Sequence, residues 1–131
     1  MDGKNPGGLS ILVVDDDEDM RKLICAMLRR MNIDLIVEAQ DGEEALERLS
    51  AAREPFSIVI CDWEMPRMSG LDLFKQVHIS YPKLPFLILT GRTDLESVVA
   101  AKKAGIIGYL VKPVSPLQLR AKIAVLLDAD D

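Results

Sequence analysis

Five short apolar runs, separated by segments with helical periodicity, constrain the fold of this chain more than any other feature. The runs are ILVV (11–14), IDLIV (33–37), FSIVIC (56–61), LPFLILT (84–90) and IGYLVK (107–112). Such runs are too short for a helix buried on all sides, and they are typical of strands that are covered on both faces. The second run alternates more than the others, as expected of an outer strand.

Helical segments lie between the runs and after the last one, with apolar residues three and four positions apart. The first predicted buried stripe comprises Met20, Leu23, Ile24, Met27, Leu28 and Met31. Later stripes comprise Ala45, Leu46, Leu49 and Ala52, then Leu71, Phe74 and Val77, and finally Leu119, Ile123 and Leu126. Strands alternating with helices predict a doubly wound α/β fold, a parallel five-stranded sheet with five helices on its two faces.

Residues with capping chemistry stand where these helices are expected to begin and end. Asp17, Ser69, Asp94 and Ser115 each precede a helical segment, and an oxygen-bearing side chain there can accept a hydrogen bond from a free backbone N–H. Gly105 stands just past the fourth helical segment, where glycine adopts the left-handed conformation at low cost. The sequence therefore predicts both the helices and their ends.

Length and composition limit the class of protein. A chain of 131 residues, 49% of them hydrophobic, is the size of one domain with a real core. The formal net charge of −5 argues against a nucleic-acid binder and against a surface that binds anionic membrane. We predict a disordered polar leader at residues 1–9, one domain at 10–128 and an acidic tail at 129–131.

No apolar run is long enough for a signal peptide or a membrane span, so we expect a soluble cytoplasmic protein. Cys25 and Cys61 lie inside apolar segments and lack the spacing of a zinc site or a redox motif. We expect both to be buried free thiols in a reducing compartment.

Polar residues of particular types follow the predicted strands. Asp15 and Asp16 follow the first strand, Asp62 the third, while Thr90 ends the fourth and Lys112 the fifth. In an open parallel sheet, ligands bind beyond the carboxyl ends of the strands. The sequence therefore predicts that three carboxylates, one hydroxyl and one ammonium meet at one edge of the sheet.

These residue types suit phosphoryl chemistry that depends on a metal. Mg²⁺ prefers oxygen ligands, so Asp16 and Asp62 could bind it directly and Asp15 could hold a ligating water. A carboxylate can also attack phosphorus and form an acyl phosphate. A bound cation and the ammonium of Lys112 would offset the charge repulsion, and Thr90 could donate a hydrogen bond to a phosphate oxygen.

The segments LVVDDDEDMRK, EAQDGEEAL, VICDWEMPRMSGLDL, LTGRTD and GYLVKP resemble the signature segments of the receiver domain of bacterial two-component response regulators. The likeness runs from about Ser10 to Leu127, and the nearest relative in plan is the stand-alone chemotaxis regulator. It implies a flavodoxin-like sheet in the order 2-1-3-4-5. This strand order is implied by the resemblance and not by the periodicity.

The resemblance also implies roles for individual residues. Asp62 would be the phosphoacceptor, and Asp15 and Asp16 the acidic pair. Asp16 and Asp62 would bind Mg²⁺, or Mn²⁺, together with the backbone carbonyl of Glu64. The donor of the phosphoryl group would be a sensor histidine kinase or a histidine phosphotransfer protein. The chain would assist its own phosphorylation and dephosphorylation without being a turnover enzyme.

Three further residues have implied roles in phosphoryl binding or in switching. Thr90 and Lys112 would bind the phosphoryl group, and Tyr109 matches the aromatic that turns inward when Thr90 moves. The fourth helix, fifth strand and fifth helix, roughly residues 94–127, would form the face that controls a downstream partner. The protein would be a monomer or a dimer induced by phosphorylation.

Some positions depart from the common family pattern. Ser69 stands where Asp is frequent, and Gly91 stands where a small residue, often Ala, occurs. Family structure places the positions of Glu64 and Arg92 on opposite sides of the site mouth. We therefore expect an exposed pair there that impedes the attacking water, with a contribution of at most about 1 kcal/mol.

Other functions fit parts of the same pattern. Asp15-x-Asp17 with Thr90 and Lys112 superficially follows the motif order of haloacid-dehalogenase phosphohydrolases, although the late acidic pair is missing and the Asp62 segment is left unexplained. A degenerate receiver that only binds a partner is a second alternative. The chain could also be the receiver of a longer protein.

Overall fold

A computed structural model describes residues 8–91 and 94–129 of the chain. Strands and helices alternate through all of the described part, as the periodicity predicts. The elements are β1 (Ser10–Val14), α1 (Glu18–Arg30), β2 (Leu35–Ala39), α2 (Gly42–Ala51), β3 (Ile58–Asp62), α3 (Gly70–Ser80), β4 (Phe86–Thr90), α4 (Leu95–Ala104), β5 (Gly108–Val111) and α5 (Pro116–Ala129).

The five strands form one parallel sheet in the order β2-β1-β3-β4-β5. This is the order that the resemblance implied, and the predicted fold class is confirmed. β2 begins two residues later than the apolar run suggested, because Ile33 is still hydrogen-bonded to the C-terminal turn of α1. Its N–H donates to the carbonyl of Leu28, and its side chain is only 3% exposed.

The sheet separates two apolar clusters because successive side chains of a strand point to opposite faces. Ile11 and Val13 of β1 face a cluster that includes residues of α1 and α5, among them Ile24, Leu28, Leu119, Ile123 and Leu126. Leu12 and Val14 face a cluster that includes residues of α2, α3 and α4, among them Ala45, Leu49, Leu73, Phe74, Val77 and Ala101. Helices therefore cover both faces of the sheet.

The predicted helix ends are confirmed in detail. The Asp17 carboxylate accepts hydrogen bonds from two backbone N–H groups of the first turn of α1. Ser69 forms a reciprocal capping box at the start of α3, and Asp94 and Ser115 cap α4 and α5. Gly105 ends α4 in the left-handed conformation, with φ of 101°.

Two expectations about burial are corrected. Leu23 was placed on the buried stripe of α1 but is 49% exposed. It lies about 100° around the helix from Ile24, at the margin of the stripe, because an α-helix turns by that angle per residue. Leu9 was assigned to the leader but is only 8% exposed and packs in the cluster beneath α1 and α5. The remaining leader, residues 1–7, lies outside the described residues.

Cys25 and Cys61 are buried free thiols, as predicted, and burial raises the pKa of both. Both thiols are therefore held in the protonated, less nucleophilic form. None of the helices in the described part of the chain is sufficiently long and apolar to cross a membrane.

Candidate functional site

The candidate site lies where the carboxyl ends of the three central strands meet. Asp62 is the last residue of β3 and pairs in register with Leu89 of β4. Asp15 follows β1 directly, and its backbone N–H donates to the carbonyl of Ala39 in β2 at 3.1 Å. The strand order brings Asp15 beside Asp62 because β1 and β3 are neighbours in the sheet.

Three carboxylates form one cluster at this edge. Asp15, Asp16 and Asp62 each offer an oxygen atom that lies within 4.8 Å of the other two. Asp15 and Asp62 are buried, at 2% and 8% exposure, whereas Asp16 is exposed to solvent. The three predicted acidic site residues are therefore brought together by the fold.

Burial raises the pKa of Asp15 to about 6 from an ordinary value of 3.8. The hydrogen bond from the backbone N–H of Asp17 opposes this rise, and the negative charge of Asp62 adds to it. The pKa of Asp62 is also raised, mainly by burial, although a hydrogen bond from Lys112 and one from the backbone of Glu64 lower it. Both buried carboxyl groups are thus held in an environment that disfavours their charge.

Lys112 reaches the cluster from the end of β5. Its Nζ lies 3.1 Å from Oδ1 of Asp62, and its side chain is 24% exposed. The backbone N–H of Lys112 donates to the carbonyl of Thr90, which joins the ends of β4 and β5, and the following Lys112–Pro113 peptide bond is cis. The ammonium therefore stands beside Asp62 as the sequence predicted.

A set of oxygen ligands with this charge fits a hard divalent cation. Carboxylates are the ligands that Mg²⁺ prefers, commonly one or two of them with waters completing the octahedron. Soft metals are disfavoured because the cluster contains no thiolate or imidazole among the described residues. Burial, with a smaller contribution from the negative charge of Asp62, raises the pKa of Asp15, and a cation at this position would offset both effects by stabilising the charged carboxylate.

The two predicted switch residues lie on neighbouring strands. Thr90 is the last residue of β4 and is completely buried. Tyr109 is partly buried, and its ring meets Trp63 edge to face with a centroid distance of 6.2 Å. Trp63, the only tryptophan of the chain, follows Asp62 directly. The sequence reasoning passed over Trp63, although its position beside the acceptor was a usable signal.

Two other predictions concern the margin of the site. Arg92 lies outside the described residues, so its pairing with Glu64 stays a prediction. Glu64 itself is exposed, and its backbone N–H bonds to the carboxylate of Asp62. The Asp17 side chain turns to the N-terminus of α1, where it accepts from Asp19 and Met20. This capping role disfavours Asp15-x-Asp17 as the catalytic pair of a phosphohydrolase.

A charged network behind the acidic pair was also missed. Nη1 of Arg21 donates to the backbone carbonyl of Asp15 at 2.8 Å, and its Nε donates to Oε1 of Glu38 at 2.8 Å. Lys22 donates to the other oxygen of Glu38 at 3.1 Å. Burial raises the pKa of Glu38, but the hydrogen bonds from Arg21 and Lys22 outweigh burial and lower it overall. A charged residue directly after the second apolar run was the available sequence signal.

Comparison with known proteins decides the family. The model of the response regulator receiver domain matches residues 11–124. The chain belongs to the response regulator receiver domain family. This receiver is 38% identical to the chemotaxis protein CheY1 of Helicobacter pylori strain J99, over 94% of its own length and 100% of the relative. It is also 38% identical to the chemotaxis protein CheY homolog of Campylobacter jejuni, over 88% of its own length and 89% of the relative.

Solved structures agree with this assignment. A response regulator receiver domain protein from Clostridium thermocellum superposes with a TM-score of 0.84 at 29% identity, and covers 92% of this receiver and 95% of that chain. Chemotaxis protein CheY4 of Vibrio cholerae superposes with a TM-score of 0.83 at 33% identity, over 91% and 98%. The suspected family is therefore confirmed. This receiver is a two-component signalling protein, and its family consists of signalling proteins and not of classical turnover enzymes.

Proposed function

We propose that the protein is a signalling switch that accepts a phosphoryl group on Asp62 from a phosphohistidine of a sensor histidine kinase or a histidine phosphotransfer protein. A carboxylate oxygen of Asp62 attacks phosphorus, and an acyl phosphate bond forms as the phosphorus–nitrogen bond of the donor breaks. The electron pair of that bond passes to the imidazole nitrogen, which takes up a proton. Support comes from the family and from the location of Asp62 in the acidic cluster.

The single observation that carries the proposal is the position of Asp62 between Lys112 and the acidic pair. An ammonium 3.1 Å from the acceptor oxygen can neutralise charge on the incoming phosphoryl group. Burial of Asp62 makes that interaction stronger than it would be in water. Thr90, at the neighbouring strand end, is the proposed hydrogen-bond donor to a phosphoryl oxygen.

Asp15, Asp16 and Asp62 are the residues that would hold Mg²⁺, with the backbone carbonyl of Glu64 as a further ligand. Bound there, the ion would supply positive charge between the acceptor and the phosphoryl oxygens. The buried Asp15 keeps its carboxylate fixed through the hydrogen bond from the backbone N–H of Asp17, at 2.9 Å. The chain would thus hold its ligands in place before the metal arrives, and Mn²⁺ could take the same site.

The face formed by α4, β5 and α5 is the proposed output surface. The three elements carry exposed apolar side chains that a partner could cover, namely Leu95, Val99, Val111, Leu117 and Val125. Contact of Tyr109 with Trp63 joins β5 to the residue after the acceptor. Phosphorylation would favour one of two arrangements of this face, by population shift.

We further propose a cytoplasmic location, because the donor kinases act there and the family match is to signalling proteins of this kind. With a net charge of −5, neither nucleic acid nor anionic membrane is a proposed partner. The receiver would act as a monomer or would dimerise on phosphorylation. Dimerisation would use the same exposed apolar face.

Labelling with acetyl phosphate tests the proposal. Wild type, Asp62→Asn and Asp17→Asn are incubated with and without Mg²⁺, and the phosphorylated residue is located by mass spectrometry. We expect Mg²⁺-dependent label on Asp62 in the wild type and in Asp17→Asn, and no label in Asp62→Asn. Asp17→Asn is the matched control because it makes the same change at an exposed capping residue.

The alternatives give different outcomes of that experiment. Label that survives Asp62→Asn would contradict the assignment of the acceptor. Phosphate found on Asp15 would favour the dehalogenase-type phosphohydrolase. The absence of any Mg²⁺-dependent label in the wild type would favour a degenerate receiver that only binds a partner.

A further inference from the structure

Arg21 and Glu38 form a clasp between the start of α1 and the edge strand β2, directly behind the acidic pair. We propose that Arg21, held by Glu38, is a positioning residue that orients the Asp15–Asp16 peptide and thereby sets the affinity of the acidic pair for Mg²⁺. The inference rests on the proposed function, since it takes Asp15 and Asp16 as metal ligands.

One guanidinium group spans both acceptors of the clasp. Nη1 of Arg21 donates to the carbonyl of Asp15, and Nε donates to Glu38, each at 2.8 Å. The guanidinium is planar, with donors in fixed directions, so the position of Glu38 determines where Nη1 points. The side chains of Arg21 and Glu38 are 14% and 25% exposed, which shields the pair partly from water.

Fixing the Asp15 carbonyl also fixes the start of Asp16. The carbonyl of Asp15 shares one rigid peptide plane with the N and Cα atoms of Asp16. The other groups of Asp15 are held separately, since its N–H donates to Ala39 and its Oδ1 accepts from Asp17. The side chain of Asp16 is exposed. The direction of its carboxylate therefore depends mainly on the orientation of the Asp15–Asp16 peptide plane.

An electrostatic role and a positioning role of Arg21 predict opposite changes in Mg²⁺ affinity when Arg21 is removed. A positive charge near the acidic cluster repels Mg²⁺, so its loss alone would tighten metal binding. Loss of positioning would weaken binding, because the ligands would have to be ordered when the metal binds. The sign of the change therefore separates a positioning role from a purely electrostatic one.

The chain offers a matched control at the next position. Lys22 donates to the same carboxylate of Glu38 at 3.1 Å and carries the same charge as Arg21. Only Arg21 of the two donates to the carbonyl of Asp15. Arg21→Lys provides the converse variant, because it keeps the charge and removes the fork that spans two acceptors. Lys22→Ala and Arg21→Lys together distinguish the effect of a nearby positive charge from the effect of the hydrogen bond to the Asp15 carbonyl.

Calorimetric titration with MgCl₂ alone, on the full chain, measures the effect without any phosphoryl donor. We expect Arg21→Ala and Arg21→Lys to bind Mg²⁺ about tenfold more weakly than wild type, the size typical of groups that orient metal ligands. Lys22→Ala should bind unchanged or slightly more tightly. Circular dichroism at the titration temperature verifies that each variant is folded, and Arg21→Lys carries the test if Arg21→Ala is not.

Three results would overturn the proposal. Affinity that is unchanged or higher in the folded Arg21 variant contradicts positioning, and so does an equal loss of affinity in Lys22→Ala. Either of these two results, with a wild type that binds Mg²⁺, would refute positioning but leave the proposed metal site intact. A wild type that binds no Mg²⁺ would refute both.

Discussion

Replacing Asp15 with Asn should stabilise the metal-free protein near neutral pH while it removes a proposed metal ligand. The folded state holds the Asp15 proton more tightly than the unfolded chain does, because burial raises the pKa from 3.8 to about 6. Raising the pH through this window therefore lowers the free energy of unfolding. Asn has no charge to bury, so the free energy of unfolding of the variant does not fall in this way as the pH rises.

The magnitude follows from the same two pKa values. A rise from 3.8 to about 6 corresponds to a loss of about 3 kcal/mol above the window, at about 1.4 kcal/mol per pKa unit. Asn keeps the oxygen that accepts from the backbone N–H of Asp17 at 2.9 Å, but its new amide must also find an acceptor. We therefore expect a gain of about 2 kcal/mol at about pH 7, with about 3 kcal/mol as the upper bound.

Urea unfolding in a chelating buffer, followed by circular dichroism, measures the gain. The gain should fall below about 1 kcal/mol at about pH 4, where Asp15 is protonated in the folded protein and near the midpoint of its titration in the unfolded chain. The control is Asp17→Asn, which removes the same charge two residues away but at an exposed N-cap, and should give no gain. A gain for Asp15→Asn that is the same at both pH values, or no gain near neutral pH, would refute the electrostatic reasoning.

Three further substitutions test the surroundings of the site. Gly70→Ala should destabilise the protein by about 1–3 kcal/mol in thermal unfolding, because a Cβ there would overlap the backbone carbonyl of Asp62. Gly91→Ala is its control and should change the free energy of unfolding by less than about 0.5 kcal/mol, since a Cβ at that position meets no atom within 4 Å among the described residues other than its chain neighbours. Asp94→Ala should lower the stability of α4 by about 1 kcal/mol, because the N-cap of the helix is lost. Hydrogen exchange of the first α4 amides should become faster, and unchanged exchange would contradict the prediction. Lys112→Met should raise the pKa of Asp62 further, because Lys112 lowers that pKa in the wild type. NMR titration of the Asp62 carboxyl group in metal-free protein measures the change, and the absence of an upward shift would contradict the prediction.

The site residues could be predicted because each stands at the end of an apolar run. Asp15 and Lys112 follow strands and Asp62 ends one, and parallel strands place their carboxyl ends at one edge. Trp63 was harder to assign, because an aromatic residue after a strand is usually only part of the core. Its relation to Tyr109 depends on how β3 and β5 are placed in the sheet, and no local pattern records that placement.

Arg21 and Glu38 illustrate the same limit. Each looks like an ordinary surface charge in its own segment, and the clasp exists only because α1 packs beside the end of β2. Leu23 was misplaced for a related reason. Periodicity identifies the buried side of a helix, but the width of the buried stripe depends on how far the neighbouring chain extends over it.

The sequence by itself determined the alternation of strands and helices, their caps, and the types of polar residue at the strand ends. These properties depend on interactions between residues that are close along the chain, such as the Asp17 carboxylate and the amides of the next turn. The tertiary structure alone decided how closely Asp15 and Asp16 approach Asp62, how far burial raises the pKa values of Asp15 and Asp62, and which charge supports the acidic pair. Burial and Coulomb energies depend on distances through space, and the packing of segments far apart in the chain determines those distances.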